Sequence, residues 1–76
     1  MQHPNFADMI RMHRKKAGLT QKALADLAGV GKTAVWNIEA GKQTVQLNIL
    51  LALLDALNIQ IHLESPLMDE ANHAKR

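Results

Sequence analysis

The sequence predicts an all-α domain of four to five short helices, closed by a C-terminal β-strand that pairs across a homodimer. Three observations carry that prediction. Apolar residues recur at three- and four-residue spacing within residues 6–17, 21–28, 32–40 and 47–57, the signature of helices with a buried stripe. Gly18, Gly29, Gly41 and Asn58 follow these runs, and each is a residue that leaves a helix cheaply through positive φ. Residues 59–64, Ile-Gln-Ile-His-Leu-Glu, then alternate apolar and polar, the period of a half-buried strand.

Taken in order, residues 1–4 form a short frayed start and Asn5 caps the first helix, with Asp8 favourably placed at the positive end of its dipole. Phe6, Met9, Ile10, His13 and Ala17 make the expected inward stripe, and Arg11, Arg14, Lys15 and Lys16 cover the rest. Leu19 folds back after Gly18. Thr20 caps the second helix, which turns Leu24, Ala25 and Ala28 inward. Gly29 breaks the chain, and a third helix over 32–40 contributes Val35 and Ile38. Helix, turn of about three to four residues, helix is the arrangement that sets a second helix into the DNA major groove.

The fourth helix carries Leu47, Leu50, Leu51, Leu54 and Leu57, apolar over more than half its circumference. Part of it is expected to face a second subunit; the alternative is a central core helix within one chain. The strand at 59–65 raises the same question, because a lone strand leaves backbone groups without partners. A second copy of that strand is the simplest partner, which places the dimer interface at Leu50, Leu54, Leu57, Ile59, Ile61 and Leu63. Pro66 ends the ladder. The expected organisation is a DNA-binding domain over 1–58, a dimer-forming strand over 59–65 and a flexible tail over 66–76.

Composition narrows the function. A chain of 76 residues with 47% apolar content supports a single core and is not a disordered segment. A domain this small buries only roughly 60% of its unfolded surface, so dimerisation adds needed stability. There is no cysteine, and therefore no disulfide or thiolate metal site. No apolar run reaches the ~18–20 residues of a membrane span, and the start lacks a signal-peptide core, so a cytoplasmic, membrane-free protein is expected. His3, His13, His62 and His73 are scattered and keep no ligand spacing; no metal, cofactor or catalytic residue is expected. The net charge of +2 is unevenly placed. Arg11, Arg14, Lys15, Lys16, Lys22, Lys32 and Lys42 face only Asp8, Asp26 and Glu39 in residues 1–42, whereas the remainder is net acidic. The basic half is the half with two helices around a turn, as a phosphate-binding surface requires.

The base-reading candidates are therefore Lys32, Thr33, Trp36 and Asn37 on the third helix. Lysine donates to guanine O6 and N7, asparagine pairs with adenine N6 and N7, and threonine meets a thymine methyl. Trp36 is open between groove or phosphate contact and dimer packing. Thr20 and Gln21, at the start of the second helix, reach toward phosphates, and Lys22, Lys42, Arg11 and Lys15 add affinity that is blind to sequence.

Residues 14–30 read R-x-x-x-G-L-T-Q-x-x-L-A-x-x-x-G-V and residues 35–41 read V-x-x-I-E-x-G. In this the chain resembles the lambda-repressor/Cro-like (XRE) helix-turn-helix family across residues 11–57. The resemblance implies a structural ion pair between Arg14 and Glu39, base reading by Lys32, Thr33 and Asn37, and a phosphate contact by Gln21. It departs at Gly31, where the family often has serine or threonine. The small size, the leucine-rich fourth helix and the strand resemble HipB-type antitoxins of toxin–antitoxin operons. That branch implies a homodimeric repressor on a palindromic double-stranded operator, autoregulating its promoter and binding a HipA-type serine/threonine kinase toxin. The alternatives are a phage-type or restriction–modification controller repressor without a toxin partner, and a protein-only interaction module.

Overall fold

Each helix begins and ends for reasons carried by two or three residues. The structure, a computed structural model, describes residues 5–67. The Asn5 side chain accepts the Asp8 backbone N–H at 3.1 Å and donates to the Asp8 carboxylate at 2.8 Å, opening α1 (Phe6–Lys16). Thr20 Oγ1 accepts the Ala23 N–H at 3.0 Å and opens α2 (Gln21–Ala28). α3 (Lys32–Glu39) starts on Gly31 and α4 (Leu47–Ala56) on Gln46, neither with a side-chain cap. Thr20→Ala is accordingly expected to cost about 1 kcal/mol, read as a lower urea midpoint with unchanged slope. An unchanged midpoint would show the cap to be energetically idle.

All four helices stop in the same way. The N–H groups of Leu19, Val30, Lys42 and Ile59 reach back to the carbonyls of Arg14, Ala25, Asn37 and Leu54 at 3.0, 2.9, 3.0 and 2.8 Å. This bond closes a helix through one left-handed residue. Gly18, Gly29 and Gly41 supply it for the first three, and Asn58, with φ 59°, for the fourth. Asparagine is among the few side chains that tolerate that region. The expected helix ends move by one residue at α1, α3 and α4, where Ala17, Ala40 and Leu57 are caps.

α2 packs against α3 and α4, and α1 against α3. The core they enclose is Ile10, Leu24, Ala25, Val35, Ile38, Leu50, Leu53 and Leu54. Two expectations are corrected here. On α1 only Ile10 is buried, whereas Phe6, Met9, His13 and Ala17 are exposed. The inward side of α1 pairs Ile10 with Arg14, a charged residue that apolar periodicity passes over. On α4, Leu50 and Leu54 were expected at the dimer interface, but the chain's own core takes them, with Leu53 fully buried beside them. Leu47 and Leu51 are the leucines of that helix left exposed.

Residues 59–65 form no strand within the single chain, since a strand needs a ladder partner and α1–α4 are all helical. Ile59 and Leu57 are half-buried against the core, while Ile61 and Leu63 point away from it, Leu63 being 91% exposed. The backbone turns helical at residues 66 and 67, the last two described. The frayed start at 1–4 and the expected tail from 68 onward lie outside the described residues. Among those described, no helix is long and apolar enough to cross a membrane.

Candidate nucleic-acid interface

α3 is short, and its two faces are chemically opposite. Val35 and Ile38 are buried in the core. Lys32, Thr33 and Trp36 are exposed, and Asn37 is half-buried. Spacing of three and four sets these four side chains on neighbouring turns of one surface. Trp36 is 57% exposed, which places a large ring in solvent with no core role. Gly31 leaves the N-terminus of α3 without a side-chain cap, so its first backbone N–H groups are unclaimed by any side chain.

The start of α2 and the connection after α3 flank that surface. Thr20 uses its hydroxyl on its own helix. Lys22 is shared with Asp26, Nζ to Oδ2 at 2.9 Å, an exposed i,i+4 pair on α2. Lys15, Lys32 and Lys42 are exposed and form no ion pair among the described residues. The ammonium groups of Lys15 and Lys42, with that of Lys16, likewise exposed and unpaired among those residues, are available to phosphate, while Lys32 presents its own on the outward face of α3.

Behind the surface lies Glu39, a carboxylate only 4% exposed at the last turn of α3. Arg14 Nε donates to its Oε2 at 2.6 Å and Arg14 Nη2 to its Oε1 at 2.9 Å. Arg14 Nη1 donates to the Leu19 carbonyl at 2.8 Å, so one guanidinium ties α1, the first turn and α3. Burial alone would push the Glu39 carboxyl up. The hydrogen bonds from Arg14 and Gln21, with the charges of Arg14 and Arg11, outweigh it and hold the group below the ordinary glutamate range. Arg14 is shifted upward, first by its hydrogen bond to Glu39, against the smaller opposing effect of burial.

Two of the expected phosphate-contacting residues join this cluster. Gln21 Nε2 donates to Glu39 Oε1 at 3.3 Å, and Arg11 Nη2 donates to the Glu39 backbone carbonyl at 2.6 Å. Neither contact has a signal in the sequence, because both residues read there as solvent-facing. Among the described residues no three side chains converge as metal ligands. His13 keeps Nδ1 within 2.8 Å of the Met9 carbonyl.

An exposed polar helix face, a second helix braced across it and a basic surround define a DNA-binding helix-turn-helix regulator. Residues 5–67 match the helix-turn-helix domain family, and the chain belongs to it. The HTH-type transcriptional regulator y4mF of Sinorhizobium fredii is 38% identical over 58 residues, covering 76% of this chain and 76% of its own. The restriction-modification controller protein C.AhdI from Aeromonas hydrophila is 36% identical, with a TM-score of 0.67 over 74% of this chain and 85% of its own. A chain of the HipA-HipB-O2-O3 complex superposes with a TM-score of 0.72 over 87% of this chain and 96% of its own. At 20% identity that last likeness is one of fold. The family is one of DNA-binding regulators rather than a class of enzymes.

Proposed function

We propose that the protein is an operator-specific transcriptional repressor that binds a palindromic site as a homodimer. The observation that carries this reading is the outward face of α3, where Lys32, Thr33 and Trp36 stand exposed with Asn37 half-buried beside them, none of the four side chains in a hydrogen bond or ion pair among the described residues. Lys32, Thr33 and Asn37 meet base edges in the major groove, and Trp36 lies against the groove wall. Thr20, Gln21, Lys22, Lys42, Arg11 and Lys15 serve the backbone. The dimer forms through residues 59–65. Leu57 and Ile59 anchor the segment to the core, and Ile61 and Leu63 meet the partner strand. An open groove of about 460 Å³ adjoins the segment, with Leu51, Leu54, Ile59 and Ile61 giving it an apolar side and Asp55, Gln60 and His62 a polar one.

Within that class we read the chain as a HipB-type antitoxin that represses its own operon and binds a HipA-type serine/threonine kinase. The small size, the leucine-rich α4 and the alternating segment 59–64 after it support this reading. The 36% identity to C.AhdI favours a second reading, a restriction–modification controller. Coexpression with the product of the adjacent gene separates them. A kinase that copurifies stoichiometrically supports the antitoxin; an adjacent restriction endonuclease that does not associate supports the controller.

The repressor reading is tested by fluorescence anisotropy on the native upstream DNA and on scrambled DNA across a salt series. Saturable binding to the native fragment, weakening steeply as salt rises, is the expected result. Lys32→Ala and Asn37→Ala are each expected to cost about 1–3 kcal/mol on the native fragment and to leave scrambled DNA unaffected. Equal losses on both DNAs would move those side chains from bases to phosphates.

A further inference from the structure

Gln21 occupies the first position of α2, the helix end whose backbone N–H groups favour a phosphate. Its side chain nevertheless turns inward, with Nε2 3.3 Å from Glu39 Oε1. A carboxylate only accepts hydrogen bonds, so it selects between the two faces of the glutamine amide. Glu39 must meet the nitrogen of Gln21 and never its oxygen. One amide N–H is thereby consumed, and the second is left with a fixed direction. Glu39 itself cannot wander to accommodate Gln21, because two Arg14 bonds of 2.6 and 2.9 Å clamp both of its oxygens.

Resting on the DNA-binding reading above, we propose that Glu39 is a positioning residue for the phosphate contact of Gln21. The carboxylate fixes the amide nitrogen-inward, so the remaining N–H and the backbone N–H groups of Gln21 and Lys22, ahead of the Ala23 N–H that Thr20 takes, meet a DNA phosphate already oriented. Arg11 is gathered by the same residue. Its Nη2 bonds the Glu39 carbonyl at 2.6 Å and its Nε lies 3.9 Å from Oε1, while the side chain stays 44% exposed with donors to spare. One acidic residue on the last turn of α3 thus arranges a contact made by the first turn of α2. A side chain ordered before binding loses less freedom when the complex forms, and the gain for one residue is about 3- to 10-fold in affinity.

The test is a four-protein cycle on the full chain: wild type, Gln21→Ala, Glu39→Gln and the double variant, each bound to native and scrambled DNA at a temperature where circular dichroism shows it folded. Gln21→Ala is expected to weaken binding to both DNAs by about 3- to 10-fold, since a phosphate contact ignores sequence. In the Glu39→Gln background the same change is expected to cost no more than about twofold. Equal losses in both backgrounds would overturn the proposal. So would no loss from Gln21→Ala on any DNA, and if Lys32→Ala still weakened only the native fragment, the DNA-binding reading would survive alone. Absence of saturable binding by the wild type would remove both. Should Glu39→Gln fail to fold, the Gln21 side-chain amide in the wild-type NMR spectrum decides. A restricted, well-ordered amide in the free protein supports positioning, and a freely averaging one refutes it.

Discussion

Arg14→Ala will cost the domain about 3 kcal/mol of folding stability, out of a total of roughly 5–10 kcal/mol for a chain of this size. The reason is the partner left behind. Glu39 is buried, and losing Arg14 removes two of its hydrogen bonds along with the nearest opposite charge. Breaking a buried pair typically costs about 3–5 kcal/mol, and the lower end applies because Gln21 and Arg11 remain beside the carboxylate. Arg14→Lys recovers only part, since an ammonium does not span both carboxylate oxygens and the Leu19 carbonyl. Urea denaturation monitored by circular dichroism reads the loss, and a change below about 1 kcal/mol would show the pair to be dispensable.

The same pair sets an acid limit. Glu39 titrates lower in the folded chain than in the unfolded one. Its contribution is therefore complete above the ordinary glutamate range and disappears as pH falls through the depressed folded value. Glu39→Gln should flatten that acid limb of the stability profile while lowering the plateau at neutral pH. An acid limb of unchanged steepness would assign the effect to other carboxylates.

The second large effect concerns the proposed dimer. Ile61→Asp will leave the single chain folded, because Ile61 is 46% exposed and outside the core. In the dimer it places a charge against an apolar partner surface, where a carboxylate finds no hydrogen-bonding compensation. Analytical ultracentrifugation should then show monomers. Affinity for the native operator should fall by about 10³-fold, toward the non-specific level, because one half-site supplies too few contacts. Leu63→Asp should behave alike. Dimers that persist in both variants, with operator binding intact, would place the interface elsewhere.

The helices were legible in the residues because their boundaries are local. Asn5, Thr20 and the left-handed residues at Gly18, Gly29, Gly41 and Asn58 act within a turn of where they stand. The face that α1 turns inward was not legible. Periodicity counts apolar side chains, and α1 buries Ile10 next to an arginine whose inward direction depends on Glu39, far away in sequence. That pairing came from resemblance to a family, not from spacing. On α4 the helix was legible and its cover was not. Five leucines on one helix say how much surface seeks cover, not whether a neighbouring helix or a second molecule supplies it. Leu50, Leu53 and Leu54 face the neighbouring helices, while Leu47 and Leu51 remain outside. The inward turn of Gln21 had no local signature at all, for its partner is a charge already claimed by another residue.

The shared manner in which the four helices stop bears on how fast this protein comes into being. Every closing bond, from Leu19 to Arg14 through Ile59 to Leu54, joins residues five apart, and each can form before any distant segment has been found. Chains dominated by such near neighbours fold in microseconds to milliseconds, because little loop entropy must be surrendered before contacts reward it. Each newly synthesised copy would be folded almost as soon as it left the ribosome. A regulator's response time would then be set by synthesis, degradation and encounter with a second copy, not by the search for its own shape.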